Sequence, residues 1–191
     1  SVFKKFGFQF PLLFKFLDAQ QDLSIQVHPN DEIAQKRHQT FGKTEMWYIL
    51  QADKDAEIII GFKEKTSKND YLNHIQNKSI VSILDRKKVK KGDAFMIQTG
   101  TVHAIGAGTL IAEIQQTSDI TYRIYDFDRT DHLGNQRELH TDLAIDVVNF
   151  NKIESKIEYA SLENQSNALV HCPYFYTNII PLKGAFEISP N

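Results

Sequence analysis

Two histidines, a glutamate and a glutamine stand out in this chain for what they could do together. Gln26 and His28 lie in Ser24-Ile25-Gln26-Val27-His28-Pro29, Glu45 in Gly42-Lys43-Thr44-Glu45-Met46-Trp47-Tyr48, and His103 in Gly100-Thr101-Val102-His103-Ala104-Ile105-Gly106. Residues two apart in a strand project from the same face, so Gln26 and His28 can point into one interior while Val27 faces away. Glu45 precedes an apolar strand and His103 follows a glycine-rich turn, so each can enter that interior from its own strand. Two imidazoles, one carboxylate and an amide oxygen suit Zn²⁺, with room left for water or substrate. The same set accepts Fe²⁺, Mn²⁺ or Co²⁺. Singly, each residue reads as a satisfied structural side chain, and only the set points to a metal.

The elements that would carry these residues are short and mostly extended. Phe10 to Phe16 and Leu23 to Val27 are expected as strands around a polar turn at Asp18 to Asp22, and Asp31 to Phe41 as a short helix opened by an Asn/Asp cap. Met46 to Leu50, Glu57 to Phe62 and Ile80 to Leu84 have strand composition, and Asp70 to Gln76 that of a second helix. After the turn signal Lys90-Lys91-Gly92-Asp93, strands are expected at Phe95 to Gln98, Thr109 to Gln115 and Thr121 to Phe127. Thr141 is expected to cap a helix running through Val148, Asn151 to Asn167 to form a polar connector, and Phe175 to Ile188 to return to strand. Many short strands at this spacing favour a β sandwich or barrel over alternating strands and helices.

The bulk numbers fit one soluble domain with an extension. The 191 residues are 41% hydrophobic and 24% charged, enough for a self-sufficient core. A net charge of -2 gives no general attraction to nucleic acid or an anionic membrane, so neither is expected as a partner, while a small anionic ligand could be held by a few placed basic groups. Cys172 is the single cysteine, which excludes an internal disulfide and favours the cytoplasm. No apolar run approaches the ~20 residues of a membrane span, and the N-terminus lacks a signal-peptide pattern. The opening Ser1-Val2-Phe3, without an initiator Met, suggests part of a longer protein.

Gly92, Gln98, Gly100 and His103 have the spacing of the second cupin motif, with Gln98 where that motif usually has Pro. The first motif is altered too: Gln26-x-His28 replaces His-x-His, and a long insertion precedes Glu45. Together with Glu113-Ile114-Gln115-Gln116-Thr117-Ser118-Asp119-Ile120-Thr121-Tyr122-Arg123-Ile124-Tyr125-Asp126, these strings resemble the type I phosphomannose isomerases, in the family's order, over roughly Pro11 to Phe150. The resemblance implies a mainly β cupin, a jelly-roll-like barrel with short helical insertions, that holds Zn²⁺ and interconverts mannose 6-phosphate and fructose 6-phosphate through an enediol. It implies a catalytic domain over residues 1–150, followed at 151–191 by a connector and the start of a truncated second cupin module.

By the same resemblance Gln26, His28, Glu45 and His103 are the metal ligands, Arg123 is the active-site arginine and Lys43 an active-site lysine. Isomerisation moves a proton from C2 to C1, so the site must polarise a carbonyl, carry a proton and stabilise negative charge, and Arg123 offers a permanent charge with a directional fork. Lys43 could be the base or could hold phosphate or hydroxyl. Glu113 is a second proton carrier, or else a carboxylate paired with Arg123 or Lys43. Ser24 and Arg129 are the family positions for the sugar phosphate. His38 and His74 are expected to face solvent, His132 and His140 to flank the Leu133-Gly134-Asn135 turn, His171 and Cys172 to lie outside the motifs, and Lys87 to Lys91 to form a solvated strand edge. Two rivals stand beside this: an Fe²⁺ or Mn²⁺ cupin oxygenase, against which Gln26 and the Arg123 motif speak, and a non-catalytic sugar-binding cupin. Oligomeric state is not legible.

Overall fold

A computed structural model describes residues 10–185 and 187. Its strands form two antiparallel five-stranded sheets and a separate hairpin. The first sheet runs β1 (Leu12–Ala19), β8 (Thr109–Gln116), β3 (Glu45–Ala52), β6 (Ala94–Ile97) and β10 (Lys156–Ile157). The second runs β5 (Leu84–Lys88), β4 (Glu57–Phe62), β7 (His103–Ile105), β2 (Ile25–Val27) and β9 (Tyr122–Tyr125). The expected cupin architecture is present, as two facing sheets and not as a barrel closed by continuous hydrogen bonding.

Alternation along the strands sets the layers. From β3, Trp47 and Ile49 meet Ile58, Ile60 and Ile105 of the opposite sheet, with Phe95, Ile97 and Ile111 completing the core between them. Each such fully buried side chain stabilises the fold by about 1.5–3 kcal/mol relative to exposure. The opposite parity of the second sheet, Ile25, Val27, Ile59, Ala104, Tyr122 and Ile124, packs outward beneath helical segments. These are α2 (Lys68–Gln76), a 3-10 helix (Ile80–Ile83) and α3 (Thr141–Ala144). On the outer face of the first sheet, Met46, Tyr48, Met96 and Ile114 lie under the hairpin of β11 (Asn167–His171) and β12 (Tyr176–Ile179), which contributes Val170 and Phe175.

Several expectations need correction. Ile80 to Ile83 is 3-10 helix because Ile80 must bury beside Tyr71 and Leu84, and the strand begins only at Leu84. That strand is a sheet edge carrying Lys87 and Lys88, but it ends there: Val89 is buried, and Lys90 and Lys91 lie beyond it, not on the edge as expected. The turn at Asp18 to Asp22 starts later, since β1 pairs with β8 through Ala19. Thr141 is the first residue of α3 and not its cap, and α3 ends at Ala144 instead of reaching Val148. The connector Asn151 to Asn167 contains β10, which adds to the first sheet beside β6. The last strand spans only Tyr176–Ile179, and Ile188 lies outside the described residues. Helix α1 (Asp31–His38) forms where the cap signal placed it, with the Asn30 side chain accepting from Ile33 N–H at 3.0 Å.

Candidate metal centre

The two sheets bring together residues that are far apart in sequence. Gln26 of β2 is opposite His103 of β7, and Glu45 faces them from the other sheet. His28, just beyond β2, completes the group, and its ring lies 4.8 Å from that of His103. Glycines set the backbone here. Gly100 has φ +84 and donates its N–H to the His28 carbonyl at 2.9 Å, tying the loop before one histidine to the other. A Cβ on Gly100 would meet the Val147 carbonyl oxygen at 2.7 Å. Gly42 is pressed as tightly onto the backbone of Asn30 and Asp31, while Lys43 N–H donates to the Pro29 carbonyl, so Lys43 is delivered beside His28.

His28, Glu45 and His103 are at most 1% exposed, and one donor atom of each lies within 4.8 Å of the other two. His28 Nε2 is 3.7 Å from Glu45 Oε2 and His103 Nε2 is 3.5 Å from Oε1. A cation ~2.0–2.2 Å from each of several tetrahedral ligands sets those ligands roughly 3.3–3.6 Å apart, close to these separations. The tautomers agree. His28 Nδ1–H donates to the Ile120 carbonyl at 2.7 Å and His103 Nδ1–H to the Thr101 carbonyl at 2.8 Å, which leaves both Nε2 lone pairs facing the carboxylate. Burial, reinforced by Lys43, pushes the His28 imidazole well below its ordinary pKa, and burial takes His103 down to about 4, so both rings are neutral near pH 7.

Glu45 supplies the test of fit. Both its carboxylate oxygens are buried without a hydrogen-bond partner, and burial pushes its pKa up against the pull of Lys43. Lys43 Nζ, 3.2 Å from Oε2, offsets part of this charge, and a divalent cation among the two neutral imidazoles would give the carboxylate oxygens the partners they lack. The Gln26 amide is 3.3 Å from His103 Nε2, and a half-turn of the amide presents its oxygen to the same point. The donor set therefore fits a metal ion.

Around this group lies a second set of polar residues. Lys43 is 5% exposed, with Nζ 3.2 Å from Glu45 Oε2, 3.3 Å from His28 Nε2 and 3.9 Å from Glu113 Oε1. Glu113 accepts from Trp47 Nε1–H at 3.1 Å and lies 3.5 Å from Lys15 Nζ. Its partners are thus Lys43, Lys15 and Trp47, and Arg123 is not among them. Burial and the neighbouring Glu45 raise its pKa. Arg123 shares the face of Gln26 through the β2–β9 pairing and donates from Nε to Ser24 Oγ at 3.3 Å. Arg129 uses all three nitrogens inside the chain, on the Asp126 carboxylate and carbonyl and on the Asp22 carbonyl.

Sequence reasoning missed Lys15 and Trp47. Both have the inward parity of their strands, Lys15 opposite Glu113 across β1 and β8, and Trp47 two residues after Glu45. A lysine at an inward position of a strand was the available signal. Of the remaining histidines, His38 is exposed yet bonded to the Tyr122 hydroxyl, His74 is half-buried against Ser79, and His140 accepts from Arg123 N–H. None joins the metal group.

Residues 1–74 match the family model for the catalytic domain of phosphomannose isomerase type I. The chain is 45% identical over 187 residues to mannose-6-phosphate isomerase ManA of Bacillus subtilis, covering 96% of this chain and 59% of that protein. It is 44% identical over 182 residues to mannose-6-phosphate isomerase of Streptococcus mutans, covering 94% and 57% respectively. The chain therefore spans little more than half the length of these relatives. Among solved structures, the mannose 6-phosphate isomerase from Bacillus subtilis superposes with a TM-score of 0.82 at 38% identity, over 89% of this chain and 55% of that one.

Proposed function

We infer that this chain, a homologue of the type I phosphomannose isomerases, carries a Zn²⁺ centre and interconverts mannose 6-phosphate and fructose 6-phosphate through an enediol. The observation that carries the reading is the convergence of the buried Glu45 carboxylate and two imidazole Nε2 atoms on one point beside Lys43. In it His28, Glu45 and His103 hold the ion, with Gln26 Oε1 as the fourth ligand. Bound there, Zn²⁺ supplies Lewis acidity to sugar oxygens.

The protein's own groups divide the remaining work. Arg123 aims its guanidinium past Ser24 and stabilises the negative charge that develops as the C2 proton leaves. Lys43 binds and orients the sugar, and Glu113, whose raised pKa suits an acid or base, is the alternative proton carrier with Lys43. Ser24 offers its hydroxyl to the phosphate, and Arg129 would have to exchange one of its internal partners to add a charge. Residues 1–150 form the catalytic unit, and 151–191 a connector with the start of a second cupin module. Within that segment, Val170 and Phe175 pack on the first sheet and the Tyr174 hydroxyl donates to Asp31 at 2.9 Å. No described helix is long and apolar enough to cross a membrane, and with a lone cysteine the cytoplasm is the proposed compartment.

The test is a coupled assay with mannose 6-phosphate on one preparation before chelation, after it, and after Zn²⁺ is restored. Activity that falls and returns with the metal is expected. Full activity after complete chelation would contradict the reading, and Fe²⁺ in the purified protein with O₂ consumed and no fructose 6-phosphate formed would favour the oxygenase rival.

A further inference from the structure

Arg123 is held in place by a segment that contributes nothing else to the site. Its backbone is bonded twice to His140: its N–H donates to His140 Nδ1 at 3.1 Å, and its carbonyl accepts from His140 N–H at 2.7 Å. Its Nη1 donates to the Glu138 carbonyl at 2.8 Å and its Nε to Ser24, so among the described residues Nη2 is the nitrogen left for a ligand. Residues 137–139 are exposed, and the Glu138 side chain is 82% exposed, so packing does not fix that carbonyl. Arg137 fixes it instead. Its Nε donates to Asp126 Oδ2 at 2.7 Å and its Nη2 to Oδ1, a two-point pair with a carboxylate that is itself 6% exposed.

These contacts close a ring. From Arg123 the chain runs three residues to Asp126, crosses the ion pair to Arg137, passes one peptide to Glu138, and returns through the Glu138 carbonyl to the Arg123 guanidinium. We propose that Arg137 is a positioning residue for Arg123: by anchoring the Glu138 carbonyl it fixes the direction in which the Arg123 fork points. The proposal rests on the reading of Arg123 as the group that faces substrate. Without the anchor, Nη1 loses a fixed acceptor and the guanidinium turns about its long side chain, which leaves substrate binding largely intact and misplaces the charge needed during proton transfer. Arg129 makes the proposal testable, because it also pairs with Asp126 Oδ1 and leaves that buried carboxylate one cationic partner when Arg137 is replaced.

The experiment compares the parent with Arg137→Met, Arg137→Lys, Arg123→Ala and the double Arg123→Ala/Arg137→Met variant. It measures turnover of mannose 6-phosphate, metal content, thermal midpoint and the NMR signal of the Arg123 Nε–H group, assigned by its absence in Arg123→Ala. In Arg137→Met, kcat is expected to fall by roughly tenfold to a hundredfold, on the scale of a small misplacement of a catalytic group. KM and metal content should stay near the parent's, the thermal midpoint should fall by no more than it does in Asp126→Asn, and the Arg123 signal should shift or broaden. Arg137→Lys, able to keep one of the two contacts, should fall between, and Arg137→Met should cost nothing further in the Arg123→Ala background. Parental kcat with an unchanged Arg123 signal overturns the proposal, as does equal loss in both backgrounds or loss of metal. A parent that turns nothing over sinks the isomerase reading instead. The Arg123 signal then decides the positioning role alone, upholding it if Arg137→Met perturbs it and overturning it if not.

Discussion

Burying a carboxylate is costly, and Glu45 bears that cost with only the Lys43 ammonium beside it, between two imidazoles whose tautomers are already set by backbone carbonyls. At this scale the roles of Lys43 and Arg123 separate. With Lys43 Nζ 3.2 Å from Glu45 and 3.9 Å from Glu113, Lys43→Met tests base against positioning group. As a positioning residue, Lys43 is expected on replacement to raise KM and lower kcat while solvent hydrogen still exchanges into C2 at saturating substrate. Complete loss of that exchange, with substrate and metal still bound, would make Lys43 the base. Arg123→Lys should keep the metal and lose about 10²–10³ in kcat, because an ammonium cannot reproduce the fork that spans Ser24 and Glu138. A coupled assay shows this directly, and a variant as active as the parent would refute the role. The residues of the candidate site, Gln26, His28, Glu45 and His103, were legible in the sequence through spacing and resemblance. The tautomers were not, because they depend on the Ile120 and Thr101 carbonyls that the folded backbone presents, nor was the approach of Glu45 from the opposite sheet.

At the scale of elements, parity explains most of what the sequence revealed. Gln26 faces inward between Ile25 and Val27, whose side chains serve the outer core, and β8 alternates Thr109, Ile111, Glu113 and Gln115 inward. The misreadings came where tertiary packing overrode composition. Ile80 to Ile83 has strand residues but coils to bury Ile80, and Thr141 follows a residue whose backbone is already taken by Arg123. Lys15 was passed over because a lysine in an apolar strand reads as an outward residue until its partner Glu113 is known. The glycines carry the sharpest element-level prediction. Gly100→Ala forces a Cβ against the Val147 carbonyl at a left-handed φ of +84. It should destabilise the fold by more than about 1 kcal/mol and loosen the metal through the His28 carbonyl contact. Thermal denaturation and metal titration check it, and a parental midpoint with parental affinity would contradict it.

For the whole molecule, the layers place the candidate site between two sheets and leave β10 on the edge of the first sheet, with the β11–β12 hairpin covering its outer face. Asn151 to Asn167 was read as a polar connector because β10 is two residues long and acquires meaning only beside β6. The Asp126 cluster makes a global prediction about acid. Burial raises the Asp126 pKa, but the bonds from Arg137 and Arg129 outweigh it and hold the carboxylate below its usual range. A depressed folded-state value means stability that is present above the unfolded pKa of about 3.9 and is lost as pH falls through the folded value. Asp126→Asn should therefore lower the thermal midpoint at pH 7, and the gap from the parent should close below about pH 3.9; a gap independent of pH would refute this. The central claim, that two strands of one sheet and one of the other assemble a metal centre, is tested most directly by metal content per chain in protein purified without added metal. The parent should carry close to one Zn²⁺, and His28→Ala and His103→Ala should each lose most of it while remaining folded. A parent free of metal, or both variants fully loaded, would contradict the account.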